Sequence, residues 1–342
     1  MATGTVRATL LTIIVGCVLA TPLCAHAWWA GGHEIVSRAA AGALPDDVPG
    51  FFRHSSDALA FYSAEPDLWK NPDLPQLRDA EGPEHFLDYE LLEGRVLPPF
   101  RWDFVALCGE LKRNPRDVGL LPYAVVEWTE RLTLAFAAYR RSPDNAQVRQ
   151  ECLLYGGILS HYAADLAQPL HLTIDYDGRT SPGEPSPHTG IHDRMDALIQ
   201  AAGIQPRELS RDVKPVAFDD LFTSTVQEVL AGRGEIKTVY NLEEGLPPTR
   251  KEEGVEPGWK PTERVHGFAR DRAQAATFLT ASYWLTAWER SKNITAHLPT
   301  HAETLRPSSP EQKYRAAWVA AVIGILVLAV AAYRLTQRAT DR

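Results

Sequence analysis

The chain has 342 residues, a formal charge of −8 and 45% aliphatic and aromatic residues. That is enough apolar material for one large domain or two ordinary ones, with a sizeable core. The charge is mild and no basic stripe or tract accompanies it, which excludes a duplex-binding surface but not a single-stranded or small-ester substrate held by metal ions.

Residues 1–27 read as a signal peptide, with one early positive charge, an apolar middle and Ala25-His26-Ala27 as an A-x-A cleavage site. A lipobox-like Ile-Val-Gly-Cys ends at Cys17, but the apolar run continues past it. From 28 to 293 the pattern is helical. Stretches such as HEIVSRAAAGAL, AVVEWTERLTLAFAAYRR, VRQECLLYGGILSHYAADL and FARDRAQAATFLTASYWLTAWERS repeat apolar residues at three- and four-residue spacing. No strand-type alternation and no internal repeat stand out, so the expectation is a single all-α, multi-helix domain. Pro/Gly-rich segments at 174–190 and 232–263 read as loops, and 294–314 as a polar linker.

Residues 315–334 read as a transmembrane anchor. Ala316 to Tyr333 carries no charge, and as a helix would reach roughly 27 Å, close to the hydrocarbon thickness of a bilayer. Trp318 and Tyr333 sit at interfacial positions, and Arg334, Arg338 and Arg342 place the tail 335–342 on the cytoplasmic side. The expected picture is a domain exported to the extracytoplasmic side and tethered by its C-terminus. After cleavage two cysteines stay, Cys108 and Cys152, and an oxidising compartment permits a disulfide or two buried thiols equally.

The chemistry concentrates in HYAADLAQPLH, His161 to His171. His161 and Asp165 share a helical face, and a buried carboxylate there needs a pairing partner or a metal ion. Pro169 should stop or kink the helix and swing His171 off its periodicity. His192 and Asp196 repeat the His-x3-Asp pattern. One such pair on a helix is more often a solvated ion pair. Two of them, bridged by the His171 segment and a loop, suit zinc or another borderline divalent ion. His188 reads as structural or supporting, and His54, His266, His297 and His301 match nothing.

Together with Trp28 and His33 at the mature start, Asp67 in EPDLWK and His85 in HF, these residues resemble one family. It is the superfamily of trinuclear-zinc phosphodiesterases: single-strand-specific nucleases of the fungal type and bacterial zinc-dependent phospholipases C. The resemblance runs from Trp28 to about Asp196. It implies an all-α fold and three zinc ions per chain. Asp67, His85, His161 and Asp165 would hold one zinc. Asp165 would bridge to a second, held also by His33 and by the amino nitrogen and carbonyl of Trp28. His171, His192 and Asp196 would hold the third. The nucleophile implied is a water shared by the close pair, with Asp67 orienting it and Lys70 offsetting charge on the phosphate. Phe86 is a candidate platform for a stacked base.

Branch signals conflict. The Gly-Gly-Asn and Asn-Leu-His segments usual in the nucleases are replaced by DYDGRTSPGEPSPHTGIHDRMD, yet Asp196 and QPLH are nuclease-like. The expectation leans to single-strand nuclease or nucleotidase activity. Phospholipase C is the alternative, and a membrane-tethered helical binding module with structural metals is a reading of another class. The partners implied are single-stranded nucleic acid or phospholipid, and the membrane through the anchor; no protein partner is implied.

Overall fold

Asn145 opens the helix around which the others pack. Its side chain accepts hydrogen bonds from the backbone N–H groups of Gln147 and Val148, capping the helix Ala146–Asp165. A computed structural model describes residues 28–178, 190–250 and 254–294. In it this central helix packs against Ala30–Ala43, Ser56–Ser63, Leu121–Arg141 and the long helix Glu263–Arg290. Buried on nearly every side in its second half, it makes a helix of low amphipathicity suited to the middle of a bundle.

Gly156 and Gly157 permit that packing. A Cβ at 157 would lie 2.3 Å from the Cβ of Tyr62, and one at 156 would lie 2.6 Å from the ring of Phe52. Glycine inside a helix costs about 1 kcal/mol relative to alanine, so its place here goes with the close approach of the helix Ser56–Ser63. Two indoles pin the bundle to the same helix. Trp284 donates to the Gly156 carbonyl at 2.9 Å, and Trp28 donates to the Ala164 carbonyl at 3.1 Å. Both tryptophans are fully buried.

The central helix ends at Asp165. Gln168, extended before Pro169, starts a single 3-10 turn, Pro169–Leu172, as expected from the lost N–H and the restriction on the residue before proline. Short helices follow at Ile191–Asp196 and Leu198–Ala201, and the last helix of the bundle begins at Glu263 behind a Thr262 cap.

Among the described residues the fold is all-α apart from one small hairpin, which differs from the expected absence of strands. Thr249 pairs with Val255 and Arg250 with Gly254, antiparallel. The segment 232–263 is also not the plain loop expected. It contains the helix Ile236–Leu242, with Val239 and Leu242 buried. Two turns flanked by Gly232, Gly234 and Gly245 are too short to show periodicity against that composition. Cys108 and Cys152 are both free and buried. Among the described residues no helix is long and apolar enough to cross a membrane. The expected signal peptide 1–27, anchor 315–334 and tail 335–342 lie outside the described residues, as do His188, His297 and His301.

Candidate metal centre

The break after Asp165 turns the chain back on itself, and buried histidines and carboxylates converge there. Three groups each have ligand atoms within 4.8 Å of one another: His33, His161 and Asp165; Asp67, His85 and His161, which shares His161 with the first; and His171, His192 and Asp196. His33 comes from the first helix, stacked on His161 with ring centroids 3.8 Å apart. Asp67 comes from the short helix Glu65–Trp69, and His85 closes the 3-10 turn Gly82–His85. Helical spacing sets both His-x3-Asp pairs: His161 Nε2 lies 3.4 Å from Asp165 Oδ2, and His192 Nε2 lies 3.3 Å from Asp196 Oδ2.

Asp165 is the hub. Its Oδ1 faces His33 Nε2 at 3.5 Å and His171 Nδ1 at 3.7 Å. Its Oδ2 faces His85 Nδ1 at 3.2 Å and His161 Nε2. One carboxylate thus serves two sets of ligands with its two oxygens. His171, turned by the Pro169 break, lies between Asp165 and Asp196, whose Oδ1 is 3.7 Å from its Nε2.

Backbone carbonyls fix two of the rings. His161 Nδ1–H donates to Ser63 O at 2.7 Å and His171 Nδ1–H donates to His85 O at 2.8 Å, so each aims Nε2 inward. Gln168 gave no signal of a role in the sequence. It is fully buried, donates to Asp196 Oδ1 at 2.6 Å and accepts from Leu170 N–H at 2.7 Å. Only the tight turn that proline forces brings it there.

Trp28 lies beside the centre. Its indole reaches the carbonyl next before Asp165, while the following residue, Trp29, donates its backbone N–H to Asp196 O at 3.2 Å. Lys70 lies 2.6 Å from Asp67 Oδ1, one turn along, and is 7% exposed. Phe86 lines a cleft of about 790 Å³ over the centre together with Lys70, Arg78, His85, His171 and His192. Gly119 holds the Phe86 backbone close. At φ +92° it sits where a side chain is strained, and a Cβ would fall 2.1 Å from Phe86 O.

Burial dominates the electrostatics. It lowers His161 to about 4 and His171 to about 3, and takes His33 and His85 well below the ordinary imidazole value. These rings are neutral donors to a metal at neutral pH. Burial raises Asp196 to about 7 and Asp165 well above the carboxylate range. Burial also opposes ionisation of Asp67, but Lys70 and the neighbouring histidines outweigh it and hold Asp67 well below that range.

These residues fit a metal cluster better than a hydrogen-bonded core. Both ring nitrogens of His33, His171 Nε2, Asp165 Oδ1 and Asp196 Oδ2 are buried without a hydrogen-bond partner. Leaving that many buried polar atoms unmatched is costly, and divalent cations at the three groups would take one nitrogen of each ring and the carboxylate oxygens. The imidazole and carboxylate set suits zinc.

Fold and site together define an all-α protein with a buried His/Asp centre built for several metal ions. No family model matches the sequence, and no curated protein matches it. Solved structures resemble the chain, two clostridial toxins among them. The alpha-toxin of Clostridium perfringens, avian strain SWCP, is 14% identical with a TM-score of 0.37, the match covering 78% of this chain and 65% of that one. The alpha toxin from Clostridium absonum is 14% identical with a TM-score of 0.38, covering 78% and 66%. This chain therefore spans just under two thirds of the length of each toxin.

Proposed function

We propose that this chain is a zinc-dependent hydrolase of phosphoric esters, working on phosphodiesters of the phospholipid headgroup type. The observation that carries the reading is Asp165, fully buried, with one oxygen toward His33 and His171 and the other toward His85 and His161. When bound, zinc supplies Lewis-acid polarisation of a phosphoryl oxygen and a water acidified toward neutrality. The chain supplies the rest. Asp67, kept ionised, orients the attacking water, while the Lys70 ammonium beside it faces negative charge building on the phosphate.

The cleft favours phospholipid over the nucleic acid that QPLH and Asp196 suggest. Its lining mixes Lys70, Arg78 and Arg116 with Asp79, Asp88 and Asp117, whereas a single-stranded chain, although Phe86 and Tyr176 could stack its bases, calls for a continuous basic track. Leu68, Leu74 and Leu77, in the segments that carry Lys70, Pro72 and Arg78, are 64%, 53% and 39% exposed. Exposed apolar side chains on the segments that line a cleft suit an amphiphilic substrate.

Trp28 enters through its backbone. Cleavage after Ala27 would free an α-amino group with an ordinary pKa of about 7.7–8.0, on the residue whose indole reaches the Ala164 carbonyl and whose neighbour's N–H reaches the Asp196 carbonyl. A variant keeping one residue before Trp28 is expected to hold two zinc ions rather than three.

The test begins with zinc content and hydrolysis of bis-p-nitrophenyl phosphate, expected to vanish on chelation and return with zinc. Phosphatidylcholine vesicles and single-stranded DNA are then assayed side by side. Headgroup release exceeding DNA cleavage supports the lipid reading, and the reverse restores the nucleic-acid reading. A protein that binds no zinc overturns both.

A further inference from the structure

His85 is turned the opposite way from its neighbours. His161 and His171 use Nδ1–H on backbone carbonyls and present Nε2 to the centre. In His85 it is Nδ1 that lies among the ligand atoms, 3.0 Å from His161 Nε2 and 3.2 Å from Asp165 Oδ2. Its Nε2 is buried without a hydrogen-bond partner, and the nearest carboxylate oxygen, Glu81 Oε1, stands 3.6 Å away.

Glu81 is placed with care. It ends the helix Pro75–Glu81, its side chain is 12% exposed, and it accepts a hydrogen bond from the hydroxyl of Tyr162, the residue after His161. The Tyr162 ring is wedged between the His85 ring, 5.5 Å away, and Trp128, 6.5 Å away. The Glu81 carboxylate therefore meets the outer edge of His85, not its metal-facing edge. A neutral imidazole that binds a metal through Nδ1 must carry its proton on Nε2, and a buried N–H of that kind needs an acceptor. A shift of about half an ångström brings the pair into hydrogen-bond range.

We infer that Glu81, held by Tyr162, is a positioning residue for the His85 ligand: it accepts the Nε2–H and so locks the ring in the form that offers Nδ1 to zinc. The inference rests on the reading above that zinc occupies the group Asp67, His85 and His161. Glu81 touches neither the substrate nor the reacting atoms; it acts through the ring. Sequence reasoning passed over it because its partners come from a turn and from a helix some eighty residues on.

The first measurement uses the unaltered zinc-loaded protein. Ring nitrogen shifts in the ¹⁵N-labelled chain should show His85 metal-bound at Nδ1 and protonated at Nε2, with slow exchange of that proton. A His85 bound through Nε2, or an Nε2–H that exchanges freely, overturns the inference. The second measurement is zinc held against a graded chelator. Glu81→Ala should weaken one zinc by roughly 10–100-fold and leave the other two unchanged. Glu81→Gln, whose amide oxygen still accepts, should recover most of that loss. Three zinc ions held by Glu81→Ala as tightly as by the unaltered protein overturn the inference while leaving the proposed hydrolase intact. A wild-type chain that binds no zinc defeats the hydrolase itself, and the two failures are thus distinguishable.

Discussion

The centre is held in two different ways on its two sides. His33, His161 and Asp165 stand on helices locked by packing: the glycines of the central helix against Ser56–Ser63, and the stacked rings of His33 and His161. His171, His192 and Asp196 stand on one-turn segments, and hydrogen bonds hold them. Gln168 ties Asp196, Asp177 accepts the N–H groups of Gly190 and His192, and the Trp29 N–H reaches the Asp196 carbonyl. Rigid helices set ligand geometry by shape, while short segments need polar bracing to do the same. The two sides should therefore fail differently.

The sharpest contrast comes from the two buried aspartates. Asp165→Asn weakens the shared carboxylate of the packed side. It should cost more activity than the roughly 100-fold that losing an outer partner can cost, and disturb two zinc ions at once. Asp196→Asn should release one zinc and keep two. Metal content and bis-p-nitrophenyl phosphate kinetics of both variants decide it, and equal zinc loss from the two would erase the asymmetry.

The same division governs what the sequence could tell. His161 with Asp165, and His192 with Asp196, were legible because helical periodicity fixes an i, i+4 pair whatever surrounds it. The end of the helix before Pro169 was legible for an equally local reason. His33, Asp67 and His85 are single residues on separate segments, and only their resemblance to a known ligand order pointed to them. Gln168 and Glu81 were not legible in any role. Gln168 acts on a residue 28 positions along, and Glu81, though only four before His85, ends one helix while His85 ends the 3-10 turn that follows, so no single helical period links them. The helix Ile236–Leu242 was hidden for want of length.

The braced side breaks through its hydrogen bonds. Gln168→Ala removes the donor to Asp196 and the acceptor for Leu170 N–H. The third zinc should be held about 10–100-fold more weakly, with the other two unaffected. The packed side breaks through its volume. A methyl group at Gly157 meets Tyr62 Cβ at 2.3 Å and Leu59 O at 2.9 Å, so Gly157→Ala should lower stability by about 1–3 kcal/mol, the usual cost of overpacking. Chemical denaturation measures that loss. A Gly157→Ala protein as stable as the original would mean that the helices separate at no cost and the packed side is not rigid.

The smallest effect separates what the metals do from what the fold does alone. The lowered histidines, His161 at about 4 and His171 at about 3, are neutral in the fold above pH 6.5, while the unfolded chain still holds about half a proton on each at that pH, so each adds a few tenths of a kcal/mol of stability as pH rises to 8. The carboxyl groups behave otherwise. Burial raises Asp196 to about 7, and Glu81 and Asp88 to about 7 as well, so in the metal-free fold these groups keep protons that the unfolded chain has already released. Stability must then fall as pH rises toward and through 7, because the folded state binds more protons than the unfolded one. For fully buried Asp196 alone, the loss between pH 6.5 and 8 is on the order of 1 kcal/mol. Zinc reverses the sign at its own ligands. Ionised Asp165 and Asp196 are what it binds, so protons compete with it and its stabilisation grows with pH. Melting temperatures of the chelated and zinc-loaded protein at pH 6.5 and 8 should thus move apart, the chelated form losing stability and the gap widening. A gap that stays constant or narrows would mean that the buried aspartates are not the groups on which the metals act.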